Sequence, residues 1–184
     1  MESFSSANKI LPGLFLGPLW ASKEGALKAI NITHIVRVLS GNHENPPVEV
    51  TMMKIDVDDM PGEDLLTHFD RTYEFISEAI EGGGNVLVHC AAGVSRSASV
   101  VIAYVMKKYG LEHSAACTLV SKSRPVISPN EGFLKQLQFY GSLGCSLQGS
   151  SAAHTALQGV LRTDGTGALD TLLFLERWHS LRNL

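Results

Sequence analysis

The sequence predicts an α/β domain in which helices flank a central, largely parallel sheet. Two observations predict it. Short runs rich in β-branched residues alternate along the chain with longer stretches whose apolar residues recur every three or four positions, and that alternation is how strand–helix–strand units read. One short run, "NVLVH" at 85–89, is apolar without a polar face, as a central strand covered on both sides must be.

The elements follow in order. "ILPGLFLG" (10–17) is a short strand with a turn, and Ser22 is placed to cap a short helix through Ala29. "ITHIVRVLS" (32–40) and "VEVTMMKIDV" (48–57) are strands separated by a polar loop. "DDMPGED" (58–64) is a loop, with Asp64 as the expected cap of the next helix. Leu65, Phe69, Tyr73, Ile76 and Ile80 mark that helix's buried face, and Gly82 to Gly84 end it. After "NVLVH" come helices over 95–109, with Gly110 as C-cap, over 114–123, stopped before Pro125, and from about Asn130 to Tyr140. Residues 8–141 therefore form the expected domain, and 142–184 read as a linker and tail with an amphipathic helix over 168–182.

Composition narrows the function classes. The 184 residues suffice for one domain with a core, and 18% charged with 45% hydrophobic residues excludes a disordered chain. A net charge of -3 offers no basic field for nucleic acid or acidic membranes. Three cysteines, Cys90, Cys117 and Cys145, argue against a disulfide framework, and no two have zinc-knuckle spacing. The N-terminal residues lack a signal-peptide pattern, Glu2 excludes N-myristoylation, and no apolar run is long enough to span a bilayer. The expectation is a cytoplasmic or nuclear protein without nucleic-acid or membrane partners; the sequence leaves the oligomeric state open.

Chemistry concentrates at "HCAAGVSRS" (89–97). A strand ends at His89 and Cys90, a compact loop of Ala91, Ala92, Gly93, Val94 and Ser95 follows, and Arg96 opens a helix. Such a loop can turn its backbone N–H groups inward as a nest for a tetrahedral oxyanion, aided by the positive end of the helix. Arg96 can close the ring with a bidentate guanidinium. The same field, with the guanidinium beside the sulfur, is expected to lower the Cys90 pKa and make it a nucleophile, with Ser97 donating to the sulfur. An acid for the leaving oxygen is available in Asp56, Asp58, Asp59 or Asp64, and position alone does not choose among them. The bland readings place Asp58 in solvent, Asp64 at a cap, Cys117 in the core, Cys145 exposed in the tail, and Lys107, Lys108, Lys122 and Arg124 on solvated faces.

"VHCAAGVSRS" resembles the His-Cys-five-residues-Arg-Ser/Thr signature of cysteine-dependent protein phosphatases. "ILPGLFLG", "ITHIVRV", "DVDDMP", "HFDRTYEFI", "AYVMKKYG" and "RPVISPNEGFLKQL" resemble, in the same order, the small atypical dual-specificity phosphatases, most of all the plant-type members. The resemblance covers residues 8–140. It implies a protein-tyrosine-phosphatase-like fold and a general acid at Asp59, the second aspartate of its loop. It also implies a phosphocysteine on Cys90, phosphate held by Arg96 and the loop amides, and a thiolate whose expulsion Ser97 assists. His89 would orient Cys90, Asn130 would steady the phosphate loop from behind, and neither metal nor cofactor is required. Relatives acting on inositol lipids carry lysines in this loop, whereas residues 91–95 hold no basic side chain. Phosphorylated proteins bearing phosphotyrosine, phosphoserine or phosphothreonine are thus the expected substrates, with mitogen-activated protein kinases as candidates. The alternatives are a phosphatase for a glycan or lipid monoester and a non-catalytic module that binds phosphoproteins.

Overall fold

The computed structural model describes residues 6–46 and 48–148. Five strands, β1 (Asn8–Leu11), β2 (Leu14–Pro18), β3 (His34–Val38), β4 (Thr51–Ile55) and β5 (Val86–Cys90), form one sheet in the order β1-β2-β5-β3-β4. β1 and β2 make an antiparallel hairpin at one edge, and every other pairing is parallel. The expected largely parallel sheet is therefore present, and the single strand read at residues 10–17 is a hairpin turning at Gly13, which takes φ +77°.

Helices cover both faces. α1 (Glu24–Ala29) lies on one side, where Phe15, Ala21, Leu27, Ile32, Ile35 and Leu87 form a small core. α2 (Phe69–Glu81), α3 (Arg96–Tyr109), α4 (His113–Ser123) and α5 (Glu131–Ser142) occupy the other, over the main core. Leu87 enters the first cluster and Val86 and Val88 the second, the two-sided burial that the apolar run at β5 requires. α3 is buried from Arg96 to Met106 and is the helix against which α2, α4 and α5 pack. No helix among the described residues is long and apolar enough to cross a membrane.

Two helix starts differ from the sequence reading. Ser22 does not cap α1: its Oγ donates to Leu19 O at 2.6 Å and closes a 3₁₀ turn over Leu19–Ser22. Asp64 accepts from Thr67 N at 3.2 Å, but the turn it caps is a 3₁₀ segment, Leu66–His68, that precedes α2. Gly110 ends α3 in the left-handed conformation at φ +64°, as expected of a C-cap.

Packing also runs past residue 141. Cys145, expected to be exposed, is buried, and Leu147 N donates to Asp70 Oδ2 at 2.6 Å. The helix expected over 168–182 lies outside the described residues. Asp70 gathers three elements, since its Oδ1 also accepts from Lys107 Nζ at 2.5 Å and Tyr140 Oη at 2.7 Å. Lys107, expected on a solvated face, is thus tied to Asp70 and lies 4.9 Å from the Tyr73 ring centroid. Burial pushes the Asp70 carboxyl up, but the donors from Lys107, Tyr140 and Leu147 outweigh it and leave it below the usual range. A carboxylate depressed in the folded state stabilises above its unfolded pKa and loses that stabilisation as pH falls through the folded value. Thermal melts from about pH 5 to about pH 3 should therefore show a steeper loss of Tm in wild type than in Asp70→Asn. Near neutrality the variant should melt lower, and parallel acid limbs for the two proteins would contradict this account.

Candidate active site

β5 ends in the middle of the sheet, with Pro18 of β2 opposite Cys90 and Arg37 of β3 opposite His89. Because the neighbours are parallel, their outgoing loops gather over this same carboxyl edge. The chain then has only the residues between Cys90 and Arg96 in which to turn into α3.

Each carbonyl of that loop is held from outside the ring. Ala91 O accepts from Leu19 N at 3.1 Å, Val94 O from Ser128 N at 2.8 Å, and Ser95 O from Ser99 N and Oγ, both at 2.9 Å. The carbonyls of Ala92 and Gly93 accept from Arg124 Nη2 at 3.1 Å and Nε at 2.7 Å. Since a trans peptide sets N–H opposite C=O, carbonyls fixed outward turn the following N–H groups inward. Gly93 N lies 3.2 Å from Cys90 Sγ, and the N–H groups of Val94 and Ser97 also serve the sulfur. Gly93 is required here: it takes φ +69°, and a Cβ would stand 2.5 Å from the carbonyl carbon of Gly17.

Burial pushes the Cys90 thiol up. The Ser97 hydroxyl, 3.1 Å from Sγ, and the N–H groups of Ser97, Gly93 and Val94 outweigh it, so the thiol lies below its ordinary value. The leading causes of the lowering are thus the Ser97 hydroxyl and the amides, where the sequence reading put the Arg96 guanidinium beside the sulfur, and the Arg124 cation also interacts electrostatically with Cys90. Arg96 is buried, with Nη1 donating to Val57 O at 3.2 Å and Nε 3.7 Å from Asp59 Oδ2. That Nε has no hydrogen-bond acceptor among the described residues, and an oxyanion in the loop would supply one. Burial, reinforced by the charges of Arg37 and His43, holds His89 down at about 4. The ring is neutral and supplies no imidazolium beside the sulfur.

The four aspartates separate. Asp56 Oδ1 accepts from Gly41 N at 3.1 Å, Asp58 from the Ser40 hydroxyl, and Asp64 from Thr67 N at 3.2 Å. Among the four, Asp59 faces the loop: its Oδ1 accepts from Ser95 Oγ at 2.6 Å and from Asn130 Nδ2 at 2.9 Å. Asn130 caps α5 through Phe133 N at 3.0 Å, and its own N–H donates to Ser95 Oγ at 3.1 Å. It thus joins acid and loop, where the resemblance implied a post behind the loop alone. The acid segment rests on α5, for Pro61 O is 1.9 Å from where a Cβ on Gly132 would sit.

Two participants were not legible beforehand. Ser95 was expected to offer only its amide, yet its hydroxyl bridges Asp59 and Asn130. Arg124, expected on a solvated face, is fully buried beneath the loop. The available signal was its position at the head of "RPVISPN", where Pro125 ends the helix and the chain makes a turn closed by Ile127 N donating to Arg124 O at 3.3 Å.

The family model described as "Dual specificity phosphatase, catalytic domain" matches residues 14–142. A probable dual specificity protein phosphatase of Dictyostelium discoideum is 41% identical over 136 residues, covering 74% of this chain but 34% of its own length. Dual specificity protein phosphatase 1B of Arabidopsis thaliana is 40% identical over 152 residues, covering 82% of this chain and 89% of its own. The crystal structure of a mouse putative dual specificity phosphatase complexed with zinc tungstate superposes with TM-score 0.72 at 35% identity, covering 82% of this chain and 93% of that one.

The donors at the sulfur make a measurable claim. Ser97→Ala should move the pH midpoint of Cys90 alkylation by iodoacetamide upward by about one unit, the worth of one hydrogen bond to a charged group. An unmoved midpoint would show that the amides alone hold the thiolate.

Proposed function

Because this chain belongs to the dual specificity phosphatase family, we propose that it hydrolyses phosphotyrosine and phosphoserine or phosphothreonine in proteins through a phosphocysteine. The observation that carries the proposal is the sulfur of Cys90 under a ring of inward amides, with Asp59 held beside that ring by Ser95. The mouse relative complexed with zinc tungstate supports binding of a tetrahedral oxyanion, since tungstate and phosphate share that geometry.

In the first step the Cys90 thiolate attacks phosphorus, an S–P bond forms, and the P–O ester bond breaks as Asp59 gives its proton to the leaving oxygen. Asp59 Oδ2 is the oxygen left for that proton, because Oδ1 is taken by Ser95 and Asn130. In the second step water attacks phosphorus while Asp59 removes its proton. The S–P bond breaks, Ser97 and the amides receive the thiolate, and inorganic phosphate departs. Arg96 and the loop amides hold the non-bridging oxygens in both steps.

Two features favour a protein substrate over a glycan or a lipid headgroup. Residues 91–95 add no basic side chain for extra phosphates. Two of the three exposed large hydrophobic residues among the described ones, Trp20 and Met60, border the site. Trp20 follows Leu19, which is bonded to Ala91, and Met60 follows Asp59; both offer apolar contact to the polypeptide around a phosphoresidue. Mitogen-activated protein kinases remain candidate substrates through the plant-type resemblance. A non-catalytic binding module would have no need of Cys90, Arg96 and Asp59 together.

Para-nitrophenyl phosphate hydrolysis should vanish in Cys90→Ser; retained hydrolysis would overturn the mechanism. Asp59→Ala should slow phosphopeptide turnover by about 10²- to 10⁴-fold with KM nearly unchanged, whereas Asp58→Ala should have little effect. The reverse pattern would move the acid to Asp58. On a panel of phosphopeptides, a phosphoglycan and a phosphoinositide, the peptides should show the highest kcat/KM, and a preference for either of the others would replace the protein substrate.

A further inference from the structure

We propose that Arg124 is a positioning residue that aims two loop amides, those of Gly93 and Val94, at the nucleophile, and that Asn8 at the start of β1 anchors it. The proposal rests on the phosphatase reading of Cys90. Its starting point is how one side chain is spent. Arg124 is fully buried, and its guanidinium meets the carbonyls of two consecutive loop residues, Ala92 and Gly93. Those carbonyls belong to the peptide planes whose N–H groups are on Gly93 and Val94, two of the amides that lower the Cys90 pKa. Planarity of the trans peptide makes the coupling rigid: with both oxygens drawn down to Arg124, both N–H groups must face up to the sulfur.

Without that anchor the loop has a competing arrangement. Gly93 has no Cβ to oppose rotation of the planes on either side of it, so either carbonyl can turn into the ring. An oxygen pointed inward repels both the thiolate and a phosphoryl group. The freedom that lets glycine occupy this turn is thus what the arginine has to suppress.

The guanidinium is itself held in place. Nη1 donates to Asn8 Oδ1 at 2.6 Å and to Ser6 O at 3.1 Å, so the first strand reaches the catalytic loop through one side chain. Lysine at 124 would keep the charge but lacks the planar fork that serves separate acceptors at once. Arg124→Lys therefore separates the aim of the amides from the presence of a positive charge.

The test uses the full chain with two readouts: the pH midpoint of Cys90 alkylation, and inhibition of para-nitrophenyl phosphate hydrolysis by vanadate. Arg124→Lys should raise the midpoint and weaken vanadate inhibition about tenfold, the loss of one hydrogen bond to a charged group. Asn8→Ala should move both in the same direction by less. A role confined to stability would lower Tm and leave both readouts of the folded protein unchanged, which would overturn the proposal. If Arg124→Lys does not fold, Asn8→Ala decides alone, and unchanged values there overturn it. The wild type separates the two levels: an ordinary thiol profile without vanadate inhibition would sink the phosphatase reading itself. A low midpoint that neither substitution moves would sink only the role of Arg124.

Discussion

The site depends on where the carbonyl oxygens of residues 91–95 are sent. A short loop with inward amides is an unfavourable object by itself, because its dipoles repel one another across a small ring. Here every one of its carbonyls finds a donor outside, from Leu19, Arg124, Ser128 and Ser99. Those donors come from the turn after β2, the segment between α4 and α5, and α3. The supersecondary arrangement thus does catalytic service: it gathers three separate pieces of chain around one loop and fixes the direction of its dipoles before any anion arrives. Such preorganisation means that little reorientation is needed at the moment of reaction.

The same logic places Asp59, the acid of the proposed mechanism. A loop carrying several aspartates could present any of them, and the fold assigns each a partner. Ser40 takes Asp58 to the side of the β3–β4 connection, whereas Ser95 and Asn130 draw Asp59 to the phosphate loop. Gly132 lets the Pro61 backbone sit directly on the start of α5, so the acid segment is pinned at a second point. Ser95 is common to both halves: its carbonyl is anchored to α3 while its hydroxyl holds the acid. A shift of the loop would therefore displace the acid with it.

Much of this was legible in the sequence, and the parts that were share a cause. Strands, helices and the Gly110 cap follow from local periodicity and from backbone conformations that few residues adopt. The offset between Cys90 and Arg96, with Gly93 between, is likewise a local pattern. What was missed depends on contacts distant in sequence. Arg124 meets Asn8 across 116 positions, and an arginine at the end of a polar helix reads as solvated until the strand beside it is known. Asp59 could not be told from Asp58 by position because the serines that sort them lie 36 and 18 residues away. Cys145 reads as exposed because the tie of Leu147 to Asp70, which covers that region, spans 77 positions. Ser22 failed as a cap for a different reason: its hydroxyl had a nearer carbonyl at Leu19.

The source of the low Cys90 pKa changes how the site divides its labour. Had Arg96 made the thiolate, the charge activating the nucleophile would also have bound the substrate, and each phosphate entering would have weakened the activation. Ser97 and the amides are the leading groups that lower the thiol, Arg124 interacts electrostatically with Cys90, His89 is uncharged, and Arg96 is turned toward Val57 and Asp59. Activation thus rests mainly with groups other than Arg96, whose guanidinium beside the loop is free to serve the phosphoryl oxygens that the proposed mechanism places there. A dianionic ester can approach an anionic sulfur only if cationic and N–H donors around its oxygens offset a repulsion that burial away from water strengthens. The buried guanidinium of Arg96 beside the loop, together with the loop amides, is placed to supply that offset.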